Sequence, residues 1–208
     1  MFPEGHPRAR LGPVLLVLTF AGGLVDAVSF LDLGKVFVAN MTGNVAFLGL
    51  ALAGVRELSA TASGTALAGF LAGAAVAGRW GGQRLALVLW GQTALVAVAL
   101  AGLALDGGRY AVLVPLALGM GLQNGVAHRL AVPDLATTVV TRTLAGLAAD
   151  PPGAAARRRV LSVLALFLGA LTGGLLHLWV DPRAALAGVL VLLLAVACWQ
   201  TAAPRHAG

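Results

Sequence analysis

Gly22-Gly23-Leu24-Val25-Asp26-Ala27-Val28-Ser29-Phe30, followed shortly by Val38-Ala39-Asn40-Met41-Thr42-Gly43-Asn44, is the stretch that decides the fold. It is apolar over most of its length, yet it contains a carboxylate and two amides. Isolated charges at membrane depth cost roughly 2.5–3.5 kcal/mol each on insertion scales. A chain keeps such groups where they face a cavity or a protein partner. Asp26, Asn40 and Asn44 therefore mark the interior of a membrane protein, and they are the first guide to its function.

The composition agrees. Hydrophobic residues make up 59% of the 208 positions and charged residues 11%, with a mean hydropathy of +0.92. A soluble domain carries about 25% charged residues, so this chain lacks the polar surface that water requires. The net charge of +6 fits the basic loops of membrane proteins. A nucleic-acid partner is not expected, because only Arg157-Arg158-Arg159 is clustered and no aromatic residues interleave with it. Cys198 is the single cysteine and stands in an apolar run, which excludes an internal disulfide. The first apolar stretch follows Arg8 and Arg10 but runs on to Leu33. That is too long for a cleaved signal, so it reads as a retained helix.

Eight apolar segments follow one another at 11–33, 36–54, 60–80, 84–105, 109–130, 134–149, 158–180 and 184–203. Charges and chain breakers separate them. The segments divide into two sets of four, 11–105 and 109–203, offset by about 97–99 residues. Gly23-Leu24 aligns with Gly121-Leu122, Asp26 with Asn124, Asn40 with Thr138, and Thr42 with Thr141 after a one-residue shift. Phe70-Leu71 matches Phe167-Leu168, and Trp80 matches Trp179. Internal repeats are common in transporters, whose polar sites lie where the repeats meet. Glycines lie within the segments, and Gly73/Ala77 and Gly169/Gly173 have the small-xxx-small spacing that favours close helix contact.

Segment 134–149 is too short to cross, at about 1.5 Å per residue against a ~30 Å hydrocarbon core. It also carries Thr137, Thr138, Thr141, Arg142 and Thr143. Its counterpart 36–54 is polar in its first third. Both read as broken or re-entrant helices. With an inside N-terminus, eight crossings place 8 basic residues inside and 5 outside, whereas six place 9 inside and 4 outside. The positive-inside rule leans to six. The expected fold is all-α: a polytopic helical membrane protein in a single domain, residues 1–208. It has two related, inverted halves, about six full crossings and two short or broken polar helices.

Candidate site residues follow from the same logic. Asp26 is a proton or cation site, a gate, or the cap of a broken helix. Asn40 and Asn44, four apart, share one helix face; with Thr42 they either meet a ligand or set helix register. Thr138 and Arg142 share a face, and Arg142 is the basic residue well inside an apolar segment. It would hold an anion, pair with Asp26, or snorkel to the edge. Thr141, Gln123 and Asn124 complete the set, while His128, Arg129 and His177 mark membrane edges. The chain has no Walker A loop, HExxH, cysteine pair or GxSxG elbow. No cofactor, metal or enzymatic activity is therefore expected.

The stretches GGLVDAVSFLDLGKVFVANMTGNVAFLG (22–49) and GMGLQNGVAHRLAVPDLATTVVTRTLAGLAAD (119–150) resemble the two signature stretches of the YoaK-like family. These are small bacterial membrane proteins grouped under a domain of unknown function. The resemblance spans nearly the whole chain. It falls on Asp26, Asn40, Thr42, Gly43, Asn44, Gln123, Asn124, Pro133, Asp134, Thr138 and Thr141; His128 departs from an expected arginine. It implies a multi-pass protein of the bacterial inner membrane with about six helices, and it implies no substrate.

The expected function is a transporter or permease for a small polar solute, anionic ones included, bound near the midplane between 20–44 and 120–143. The alternatives are a channel-like pore or a structural or assembly protein. The expected partners are the lipid bilayer, an unidentified small molecule and, through glycine-rich faces, further copies of the chain.

Overall fold

In hydrocarbon a backbone N–H or C=O has no water to bond, so apolar segments close their own hydrogen bonds as helices. The computed structural model describes residues 11–80, 85–130, 140–149, 151 and 153–202. Within them lie α1 (Leu11–Asp32), α2 (Met41–Leu52), α3 (Ala60–Trp80), α4 (Leu85–Ala104), α5 (Arg109–Leu130), α6 (Val140–Ala149), α7 (Ala154–Trp179) and α8 (Pro182–Ala202). Six of these, all but α2 and α6, are long and apolar enough to cross a membrane. All regular structure among the described residues is helical.

Contacts at the helix ends give the number of crossings. Thr61, at the start of α3, hydrogen-bonds the Tyr110 hydroxyl at the start of α5 over 3.0 Å. Gly34, just past α1, lies beside Arg109 of α5 and Ala62 of α3. His177 near the end of α7 stands 3.2 Å from Asp32 at the end of α1. Arg183 of α8 reaches Asp106, after α4, at 3.8 Å. One end of the bundle thus gathers the exit of α1 and the entry of α3, so α2 leaves and returns on the same side. At 12 residues it is about 18 Å long, too short to cross. The described arginines Arg79, Arg129 and Arg157–Arg159 belong to the opposite, basic end.

Glycine contacts bring the helices together in two matched pairs. On α1, a Cβ at Gly23 would overlap the carbonyl oxygen of Leu166 in α7, and one at Gly169 would overlap that of Phe20. On α5, a Cβ at Gly121 would overlap the carbonyl of Phe70 in α3, and one at Gly73 would overlap that of Leu118. One turn further, a Cβ at Gly173 would lie 2.8 Å from that of Ala27, and one at Gly125 would lie 2.7 Å from that of Ala77. Backbone meets backbone at these crossings, where a side chain would hold the helices apart.

In these pairs α1 corresponds to α5 at an offset of 98 residues (23 to 121) and α3 to α7 at 96 (73 to 169). The packing therefore makes Leu166 the equivalent of Phe70, one residue from the alignment of Phe70 with Phe167. The glycines that suggested contact with further copies are used inside the chain. The core behind them is aliphatic, with Leu24, Val28, Leu89, Leu113, Leu116 and Leu186 nearly or fully buried.

A re-entrant helix and a glutamine pair as the candidate functional site

Segment 36–54 is helical only from Met41. Gly34 and Lys35 take left-handed backbone angles, φ 101° and 58°, which turn the chain back into the bundle after α1. The residues from Val36 to Asn40 run without helical bonding, so their N–H groups need other acceptors. Asp26 supplies one. Its Oδ1 accepts from the N–H of Val38 at 2.8 Å and of Ala39 at 2.7 Å, and the backbone of Asn40 also faces the carboxylate. Val38 and Ala39 are buried, so no solvent competes for these bonds. Asp26 lies six residues before the end of α1, about 9 Å in from that end. The strand that leads into α2 is therefore held about 9 Å inside that end of the bundle.

Asn44 holds the other edge of the same strand. Its Oδ1 accepts from the Phe37 N–H at 2.9 Å, and its Nδ2 donates to the Phe37 carbonyl at 2.5 Å. A side-chain amide matches both hydrogen-bonding groups of a peptide, so one residue satisfies a whole backbone unit. Phe37 stacks on Phe30 and on Phe47 at centroid distances of 5.2 and 5.6 Å, and Phe30 and Phe47 are 6.3 Å apart, so the three rings form one cluster. A Cβ on Gly43 would lie 2.8 Å from that ring, so the absence of a side chain there lets the ring seat on α2. The Thr-Gly-Asn run is a lock for the incoming strand: Gly43 receives the ring of Phe37 and Asn44 its backbone.

Asn40 and Thr42 are exposed at the start of α2, and Asn40 makes no side-chain cap bond. They do not share the Asn44 face, which is buried. In the second half, Asn124 is partly buried and its Nδ2 donates to the Met120 carbonyl at 2.9 Å. Thr141 is exposed on α6. Thr138 and the side chain of Arg142 lie outside the described residues.

Gln123 belongs to a separate polar group. Its Nε2 donates to the Leu18 carbonyl of α1 at 3.2 Å, and its Oε1 accepts from Gln92 Nε2 at 2.6 Å. This chain of amides links α4, α5 and α1. Gln92 is 1% exposed, and its Oε1 has no hydrogen-bond partner. Sequence reasoning passed over Gln92, although it is the amide in an otherwise apolar segment 84–105, the same signal that singled out Gln123. It also passed over the Asp32–His177 contact. That pair stands at ion-pair distance without hydrogen-bond alignment at Nδ1. Asp32 and His177 sit 145 positions apart in the chain, so no local motif links them.

A family profile described as a protein of unknown function (DUF1275) matches residues 14–199. The chain belongs to this family. It is similar to the UPF0700 transmembrane protein YoaK of Bacillus subtilis (strain 168), with 34% identity over 151 residues, 67% of each chain. No solved structure matches it. The matched span takes in α1 to α8 almost completely, including Asp26, Asn44, Gln92 and Gln123. Family and relative agree with an integral, multi-pass membrane protein.

Proposed function

We propose that the protein is a transporter of the bacterial inner membrane for a small polar solute, anionic ones included, and not an enzyme. The observation that carries this reading is α2. It starts about 9 Å in from one end of the bundle, from an extended strand that side chains hold in place. Discontinuous helices of this kind line the solute sites of many secondary transporters, where half-helix N-termini face anionic groups. Asn40 and Thr42 offer polar groups at that N-terminus. On the second half Gln123, Asn124, Thr138, Thr141 and Arg142 are the candidates, with Arg142 supplying positive charge.

The matched glycine contacts support an inverted duplication of residues 11–105 and 109–203, which would place α2 and α6 at opposite faces. In this reading Asp26 and Asn44 position the gate: they hold the strand that moves and do not bind the solute first. Release of Val38 and Ala39 from Asp26 is the step that would open a path past α2.

The test is flux into proteoliposomes, with glycerol, urea, acetate, succinate and phosphate as probes. Protein-dependent, saturable entry of one or more of them is expected, slowed at least tenfold by Asp26→Asn and by Arg142→Gln. Entry of every probe at the rate of protein-free vesicles would defeat the transport reading, and entry linear in gradient would favour a pore.

A further inference from the structure

We infer that the basic end of the molecule carries a docking site for one anionic phospholipid, its phosphate on Arg157 and an acyl chain in the groove between α1, α7 and α8. The groove encloses about 390 Å³ and is lined by apolar side chains, among them Leu16, Phe20, Leu161, Leu164, Leu168 and Leu192. It opens on the lipid-facing side, where Leu161, Leu164 and Leu168 are 37, 47 and 47% exposed. Along α7 it extends from Leu161 to Leu168, roughly 10 Å at ~1.5 Å per residue. That keeps it within one leaflet, on the basic side.

The charge is in register with the groove. Arg157, Leu161, Leu164 and Leu168 follow one another at i, i+4, i+7 and i+11, so they form one stripe of α7. Arg157 is exposed at the outer end of that stripe. Arg159, roughly 200° round the helix, is turned the other way and donates to the Gly146 carbonyl of α6 at 2.9 Å. Arg157 also lies in the first turn of α7, where Gly153 brings no side chain to cap the helix and the described first turn holds no acidic residue. The N–H groups of a helix's first turn and the positive end of its dipole favour an anion there. A cation in that turn is unfavourable beside the helix dipole, and a lipid phosphate would offset it.

The other half lacks this combination. α3, whose glycine contacts match those of α7, begins with Ala60, Thr61, Ala62 and Ser63. The site therefore depends on α7 alone. Basic pockets between membrane helices, followed by an apolar surface, are a recurrent way to hold anionic headgroups.

The experiment is lipid titration of the purified full-length protein in detergent, read by native mass spectrometry, with phosphatidylglycerol and phosphatidylcholine as probes. The wild-type protein is expected to bind phosphatidylglycerol more tightly, by at least fivefold. Arg157→Gln should weaken phosphatidylglycerol about fivefold and leave phosphatidylcholine unchanged. Leu164→Trp, which fills the groove from an exposed position, should weaken both lipids. Arg56→Gln, exposed at the opposite end, is the control and should change neither. Equal affinity for the two lipids in the wild type, an unchanged preference in Arg157→Gln, or an equal loss in Arg56→Gln would each overturn the site.

Discussion

Replacing Asp26 by alanine removes the oxygen that accepts from Val38 and Ala39 at 2.8 and 2.7 Å. Both donors stay buried, at 0 and 3% exposure. An unsatisfied buried N–H costs about 1–3 kcal/mol, so the pair should lose about 2–6 kcal/mol. Asn at the same position keeps an oxygen in place of Oδ1, so the two donors stay satisfied. Its Nδ2 cannot accept a hydrogen bond as Oδ2 can, so Asp26→Asn should cost about 1–2 kcal/mol. The measurement is reversible unfolding in mixed micelles by titration with dodecyl sulfate. Cysteine placed at Ala39, in a Cys198→Ser background, adds a local readout through its rate of maleimide labelling. The expected order of stability is wild type, then Asp26→Asn, then Asp26→Ala, with labelling rising in the same order. Equal stability of the two variants, with residue 39 unlabelled in both, would refute the claim that the carboxylate holds the re-entrant strand.

Four further outcomes are expected. Gly43→Ala should destabilise by about 1–3 kcal/mol in the same unfolding assay, because the added methyl would meet the Phe37 ring, which also packs on Phe30 and Phe47. Gly121→Val, which drives a side chain into the Phe70 carbonyl, should separate α3 from α5 and lower the melting temperature sharply, whereas Gly188→Ala, with open space around it, should be silent in a thermal melt. Gln123→Leu should cost about 1–3 kcal/mol by stranding Gln92, and Gln92→Leu/Gln123→Leu together should approach wild-type stability; a double-mutant cycle reads the coupling. Cysteines at Lys35 and Arg56 should label from one face of oriented vesicles and a cysteine at Arg79 from the other; labelling of 35 and 56 from opposite faces would mean that α2 crosses.

Hydropathy is a sum over neighbours in the chain, so it was fully legible. The membrane class, the six long helices and the two short ones all follow from where charges interrupt apolar runs. The polar positions were legible for the same reason: Asp26, Asn44 and Gln123 stand out in a greasy background, and each is buried in the fold. Their partners were not legible. Asp26 meets residues twelve and thirteen positions away that carry no polar side chain at all, because the group it satisfies is backbone. Gln123 bonds the carbonyl of Leu18, 105 positions earlier.

By itself, then, the order of residues determined that this chain enters a bilayer, roughly where its helices begin and end, and which side chains cannot face lipid. Only the tertiary structure decided that α2 turns back, that Gly43 and Asn44 serve Phe37, that the glycine faces close on helices of the same chain, and that Arg157 heads an apolar groove. The physical reason is range. Transfer from water to lipid is fixed residue by residue, whereas a buried hydrogen bond or a backbone-to-backbone contact exists only once distant segments have packed.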